Sequence, residues 1–94
     1  MASTMISWTG IFQNRIDHLR MALVRDRKAL LRKLLKEARL EAGLTQVEVA
    51  AKLKVPQSYI AKVEQGERKI TFIETLDLCK ALGTDAKDLI KLLG

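Results

Sequence analysis

An all-α fold is what this sequence predicts, and three observations carry the expectation. Aromatic residues make up only 4% of the 94 residues and proline occurs once, while Ala, Leu, Lys, Arg and Glu dominate, a helix-forming composition. Apolar residues recur every three to four positions through most of the chain, the period of one helix face. Glycines and Thr-x-x-Glu boxes fall where these runs stop and start. A hydrophobic share of 48% is enough for one compact core without disulfides or metal. Cys79 is the only cysteine, so it has no intrachain disulfide partner and reads as core filling in a reducing compartment, the cytoplasm. Neither an apolar run of signal-peptide length nor a stretch of about 18 apolar residues occurs, so no membrane contact is expected.

Residues 1 to 10 are small and polar around Ile6 and Trp8 and end in Gly10, which predicts a tail. From Ile11 onward, Phe12, Ile16, Leu19 and Leu23 make one narrow helical stripe. The charged run Arg25-Asp26-Arg27-Lys28 either ends this leading helix or passes through a continuous one. Residues 1–28 are therefore expected to be tail and helical extension, and residues 29–94 a five-helix domain. Its first helix carries Leu30, Leu31, Leu34, Leu35, Ala38 and Ala42 on one face and stops at Gly43. Thr45 with Glu48 forms a capping box for a second helix, which buries Val49, Ala50 and Leu53. Only Lys54 and Val55 separate it from Pro56, whose fixed φ suits the opening of a third helix through Tyr59, Ile60 and Val63 to Gly66. After the loop Glu67-Arg68-Lys69, Thr71 with Glu74 repeats the box and opens a fourth helix with Phe72, Ile73, Leu76, Cys79 and Leu82. Gly83 ends it, and Thr84 to Leu93 makes the fifth, with Ala86, Leu89, Ile90 and Leu93 inward.

The net charge of +6 is unevenly placed: nine basic residues against Asp17, Asp26 and Glu37 lie in residues 1 to 39, and the remainder balances. A basic chain favours a polyanionic partner, with most of the charge held ahead of the second and third helices. Catalysis finds no footing. His18 is the only histidine, so neither a metal cluster nor a histidine relay can assemble. Asp85 and Asp88 share their helix with Lys87 and Lys91 and read as a solvated face, with no glycine-rich phosphate loop or nucleophile motif nearby. We expect no enzyme and no cofactor.

Two helices joined this tightly need a small residue midway along the first and apolar residues at fixed offsets on both. Gln46 to Gln65 meets that demand, with Ala50 as the small residue and Val49, Leu53, Val55, Ile60 and Val63 as the shared core. Together with Gly43-Leu44-Thr45-Gln46 and Glu64-Gln65-Gly66-Glu67-Arg68, this resembles the Cro and phage-repressor (Xre) family of helix-turn-helix proteins over about residues 29 to 93. The resemblance implies a lambda-repressor-like domain that binds double-stranded DNA. Two positions depart from the family pattern. Lys54 stands where glycine is usual, and Pro56 stands where Ser or Thr usually caps the third helix.

The resemblance also implies roles. Gln57, Ser58 and Lys62, at the start and on the outer face of the third helix, match the base-reading positions. Their chemistry suits the task, since Gln pairs with adenine, Lys favours guanine O6 and N7, and Ser donates or accepts. Gln46 matches the residue that clamps a phosphate at the start of the second helix, and Arg68 and Lys69 in the following loop are candidates for further phosphate contacts. Arg39 and Glu64 match a structural ion pair. Tyr59 touches either DNA or the fourth helix. The implied function is sequence-specific transcription regulation, as a repressor acting as a homodimer on an inverted repeat. The alternative is an antitoxin that neutralises a toxin protein and also binds its own promoter. The stripe of the leading helix either packs on its own domain or forms a dimer seam.

Overall fold

A computed structural model describes the backbone of residues 11–94 and side chains from residue 14 onward. The tail expected at residues 1 to 10 and the place of Phe12 in the leading stripe lie outside the described residues. Six helices make up the described fold: α1 (Ile11–Ala22), α2 (Arg27–Glu41), α3 (Gln46–Leu53), α4 (Gln57–Gln65), α5 (Phe72–Leu82) and α6 (Ala86–Leu93).

The chain breaks between α1 and α2 because Asp26 is worth more as a cap than as a helical residue. Its carboxylate accepts from the Ala29 N–H at 2.9 Å, satisfying a donor that the first turn of α2 otherwise leaves open. Both Thr/Glu boxes close reciprocally. The Glu48 N–H donates to Thr45 Oγ1 at 3.1 Å and the Thr45 N–H to Glu48 Oε1 at 2.8 Å, and Thr71 and Glu74 repeat the pattern at 3.1 and 2.8 Å. Asp85 caps α6 through the Lys87 N–H at 2.8 Å, so that helix starts later than Thr84.

The joint between α3 and α4 turns on Lys54, whose φ of 58° and ψ of 44° are left-handed, the conformation glycine would take without strain. Its reversal lets the Val55 N–H reach the Ala50 carbonyl at 3.0 Å. Pro56 has φ −64° and ψ 151°, which makes it the N-cap rather than the first helical residue. Lys54→Gly should raise stability by about 0.5–1 kcal/mol, because relief of a left-handed strain of about 1–2 kcal/mol is partly offset by glycine's freedom in the unfolded chain. Urea unfolding reads this directly, and a net loss would contradict the strain.

One core joins all these helices. Ile16 of α1, Leu30, Leu34, Leu35 and Ala38 of α2, Val49 and Ala50 of α3, Ile60 and Val63 of α4, Leu78, Cys79 and Leu82 of α5, and Leu89 of α6 form a single buried cluster. Ala50 sits where α3 meets α4, its small side chain letting the two backbones approach. Leu19 and Leu23 pack partly buried against the same cluster, and Arg15 reaches from α1 to Glu37 and Glu41 of α2. Cys79 fills the core; burial, with a smaller push from Asp85, raises its thiol pKa to about 11 and keeps it unreactive.

One apolar position differs from its expectation. Ile90, expected inward, is 53% exposed, because α6 turns Leu89 into the core and its neighbour lies roughly 100° away around the helix. Phe72 and Ile73 are 63% and 62% exposed; they occupy the first turn of α5, ahead of the Leu78, Cys79 and Leu82 that the helix buries.

Candidate nucleic-acid interface

Helix α4 spends one face in the core through Ile60 and Val63, which leaves Gln57, Ser58 and Lys62 exposed on the other side. None of the three is needed for packing. Ser58 and Lys62 are one turn apart, and Gln57 begins the helix, so all three project from its start and outer face.

Gln57 does not float free. Its Nε2 donates to Gln46 Oε1 at 2.7 Å, and Gln46 Nε2 donates to Glu64 Oε1 at 3.0 Å. Glu64 is in turn gripped by Arg39 through Nε–Oε2 at 2.7 Å and Nη2–Oε1 at 3.0 Å. The remaining arm of Arg39, Nη1, donates to the Leu44 carbonyl at 2.9 Å. This fork is a two-pronged, nearly dry ion pair, with side chains only 10% and 8% exposed, and such pairs hold geometry well. A single line of hydrogen bonds therefore runs from the end of α2, through the end of α4 and the start of α3, to the first residue of α4. In the sequence these residues have three separate roles, and their separations of 25, 18 and 11 positions give no hint that they form one network.

The start of α3 offers more than the Gln46 side chain. The Thr45/Glu48 box occupies the N–H groups of Thr45 and Glu48. Among the described residues the N–H groups of Gln46 and Val47 have no acceptor, the arrangement that suits an anion at a helix N-terminus.

Arg68, a candidate phosphate contact, also has partners within the protein. Its Nη2 lies 3.1 Å from Glu74 Oε2, and its guanidinium stacks on the Tyr59 ring, 4.5 Å from the centroid. Glu74 is held charged, its pKa lowered to about 2 by the Thr71 N–H first and then by Arg68 and Tyr59. Tyr59 is half-buried in this arrangement, and burial, followed by Glu74, raises its pKa. Part of the charge of Arg68 is thus met by Glu74 at the surface, a second role for Glu74 that sequence reading missed because it was already accounted for as a cap, while Tyr59 meets the helix that carries Glu74, one of its two expected contacts. Lys69 next to it is exposed.

Residues 35–89 match the family model HTH_3, described as helix-turn-helix. The chain belongs to this Cro/C1-type helix-turn-helix family. Among relatives of this helix-turn-helix protein, an uncharacterised HTH-type transcriptional regulator of Bacillus subtilis (strain 168) is 39% identical over 56 residues, covering 60% of this chain and 74% of the relative. A second uncharacterised HTH-type transcriptional regulator, from Sinorhizobium fredii (strain NBRC 101917 / NGR234), is 40% identical over 52 residues, 55% of this chain and 68% of the relative. In structure the chain is similar to an XRE-family like protein from Pseudomonas syringae pv. tomato str. DC3000, with a TM-score of 0.71, 42% identity, and coverage of 78% of this chain and 89% of that one. Among the described residues no helix is long and apolar enough to cross a membrane, and no group of three His, Cys, Asp or Glu side chains is arranged to hold a metal ion.

Proposed function

We propose that this helix-turn-helix protein is a cytoplasmic transcription regulator that binds double-stranded DNA sequence-specifically, acting as a repressor, with two copies on an inverted repeat. One observation carries the reading: Gln57, Ser58 and Lys62 stand exposed at the start and on the outer face of α4, with Gln57 pre-positioned through Gln46 and the Arg39–Glu64 fork. Groups with this donor and acceptor chemistry discriminate base edges in the major groove, and holding Gln57 in place beforehand lowers the ordering cost of the contact. Gln46 and the start of α3, with Lys69, fit phosphate contacts that fix register.

A dimer follows from information content, since one short recognition helix reads too few base pairs for useful specificity. Exposed Phe72 and Ile73, directly after the loop that carries Lys69, support a two-fold contact beside the DNA-facing surface. Such a contact can set two α4 helices about 34 Å apart. The repressor assignment rests on the likeness to phage repressors of Thr45-Gln46, Ala50 and Glu64-Gln65-Gly66. The division of residues 1–28 from 29–94 is retained as one of sequence role, although Ile16 shares the common core.

Substitution tests the assignment of roles. Gln57→Ala or Lys62→Ala should cost about 1–3 kcal/mol on the preferred site and relax preference at one position, whereas Lys69→Ala should weaken all sequences by a similar factor. Identical changes in the selected motif for all three variants would contradict it.

A further inference from the structure

Beside the C-terminal end of α4, a cleft of about 240 Å³ opens between α2 and the following loop. Its apolar part is Leu31, Val63 and Ile70, and Lys28, Arg32, Lys69 and the already paired Arg68 stand around it. Arg32 is half-buried and is seated by Gly66. That glycine ends α4 with a φ of +83°, and a Cβ there would lie 2.8 Å from Arg32 Cζ and Nε, so the guanidinium rests on a bare backbone turn. Among the described residues, neither Lys28, Arg32 nor Lys69 has an ion-pair partner; Glu74 of α5 is taken by Arg68, and the loop's carboxylate, Glu67, is exposed. A partly desolvated guanidinium beside two ammonium groups gains most from an anion that accepts several hydrogen bonds.

We infer that Lys28 and Arg32, with Lys69, bind a DNA backbone phosphate at the edge of the groove that α4 reads, the sugar resting on Leu31 and Ile70. The inference rests on the DNA-binding reading above and extends its footprint onto α2. The scale fits: α4 has 9 residues and is roughly 13 Å long, about one major-groove width, and Gly66 at its end lines the cleft. It also gives a use to the excess of basic residues in the first 39 positions, which the recognition helix itself does not carry.

The test is a titration of the full chain against its selected duplex and a random duplex over a range of salt concentrations. It compares wild type with Lys28→Gln/Arg32→Gln, and with Lys91→Gln on α6 as a control for net charge. Thermal melting establishes that each variant is folded. The double variant should bind both duplexes more weakly by similar factors, and its slope of log affinity against log salt should be shallower by about 0.9, the value for one phosphate contact. Lys91→Gln should keep the wild-type slope. A double variant with the wild-type slope overturns the inference while leaving the DNA-binding reading intact. So does a cleft that serves a free anion instead: inorganic phosphate without DNA would then raise the melting temperature of wild type but not of the double variant, with the DNA slope unchanged. A wild-type chain with no affinity for any duplex overturns the DNA-binding reading itself, and the phosphate contact with it.

Discussion

Ile16→Ala should lower the free energy of unfolding by about 3–4 kcal/mol, within the range for emptying a well-packed aliphatic site. Ile16 is 0% exposed and, among the described side chains, is the α1 member of the fully buried cluster, so its loss leaves a cavity at the junction of α1 with the core. Against a typical total of about 5–15 kcal/mol, that is a large fraction, and urea denaturation at fixed protein concentration resolves it. A loss below about 1 kcal/mol would mean that α1 detaches at little cost and that its stripe is free to serve a partner. For the same reason, removal of residues 1–26 should leave a chain that is unfolded or loosely packed, rather than a folded monomer that has merely lost its dimer contact.

Glu64→Ala should cost about 3–5 kcal/mol, the usual consequence of leaving one member of a buried ion pair without the other. Arg39 would keep only the Leu44 carbonyl, a single bond of 2.9 Å, for a guanidinium whose side chain is 10% exposed. The double replacement Arg39→Met/Glu64→Leu removes both charges and should recover most of the stability, since an apolar pair of similar volume often replaces a buried ion pair at little cost. It should not recover DNA discrimination, because Gln46 Nε2 loses the carboxylate that orients it and Gln57 loses its fixed neighbour. Thermal melting and duplex titration on the same three proteins separate the two effects. Full discrimination in the double replacement would show that the fork serves stability alone.

Much of the fold was legible because its signals are local. The Thr45/Glu48 and Thr71/Glu74 boxes, the glycine stops at Gly66 and Gly83 and the spacing of Leu30, Leu34, Leu35 and Ala38 each depend on residues within one or two turns. The left-handed turn at Lys54 agrees with its standing where the resembled family usually has glycine. Ile90 was misjudged for the opposite reason: whether an apolar residue at a helix end is covered depends on what the rest of the chain places over it. The fate of the α1 stripe was open in the sequence on the same ground. In the candidate site, residue types and their faces were readable, but the line from Arg39 through Glu64 and Gln46 to Gln57 was not, nor was the capture of Arg68 by Glu74 and Tyr59. These are contacts between segments brought together only by folding.

The most direct test of the central claim is selection of bound duplexes from a random library by the wild-type chain, followed by sequencing. The account predicts enrichment of an inverted repeat whose half-sites are centred about 34 Å, one helical turn, apart, with affinity falling steeply as salt rises. Recovery of all sequences with equal affinity, or no recovery at low salt, would contradict it.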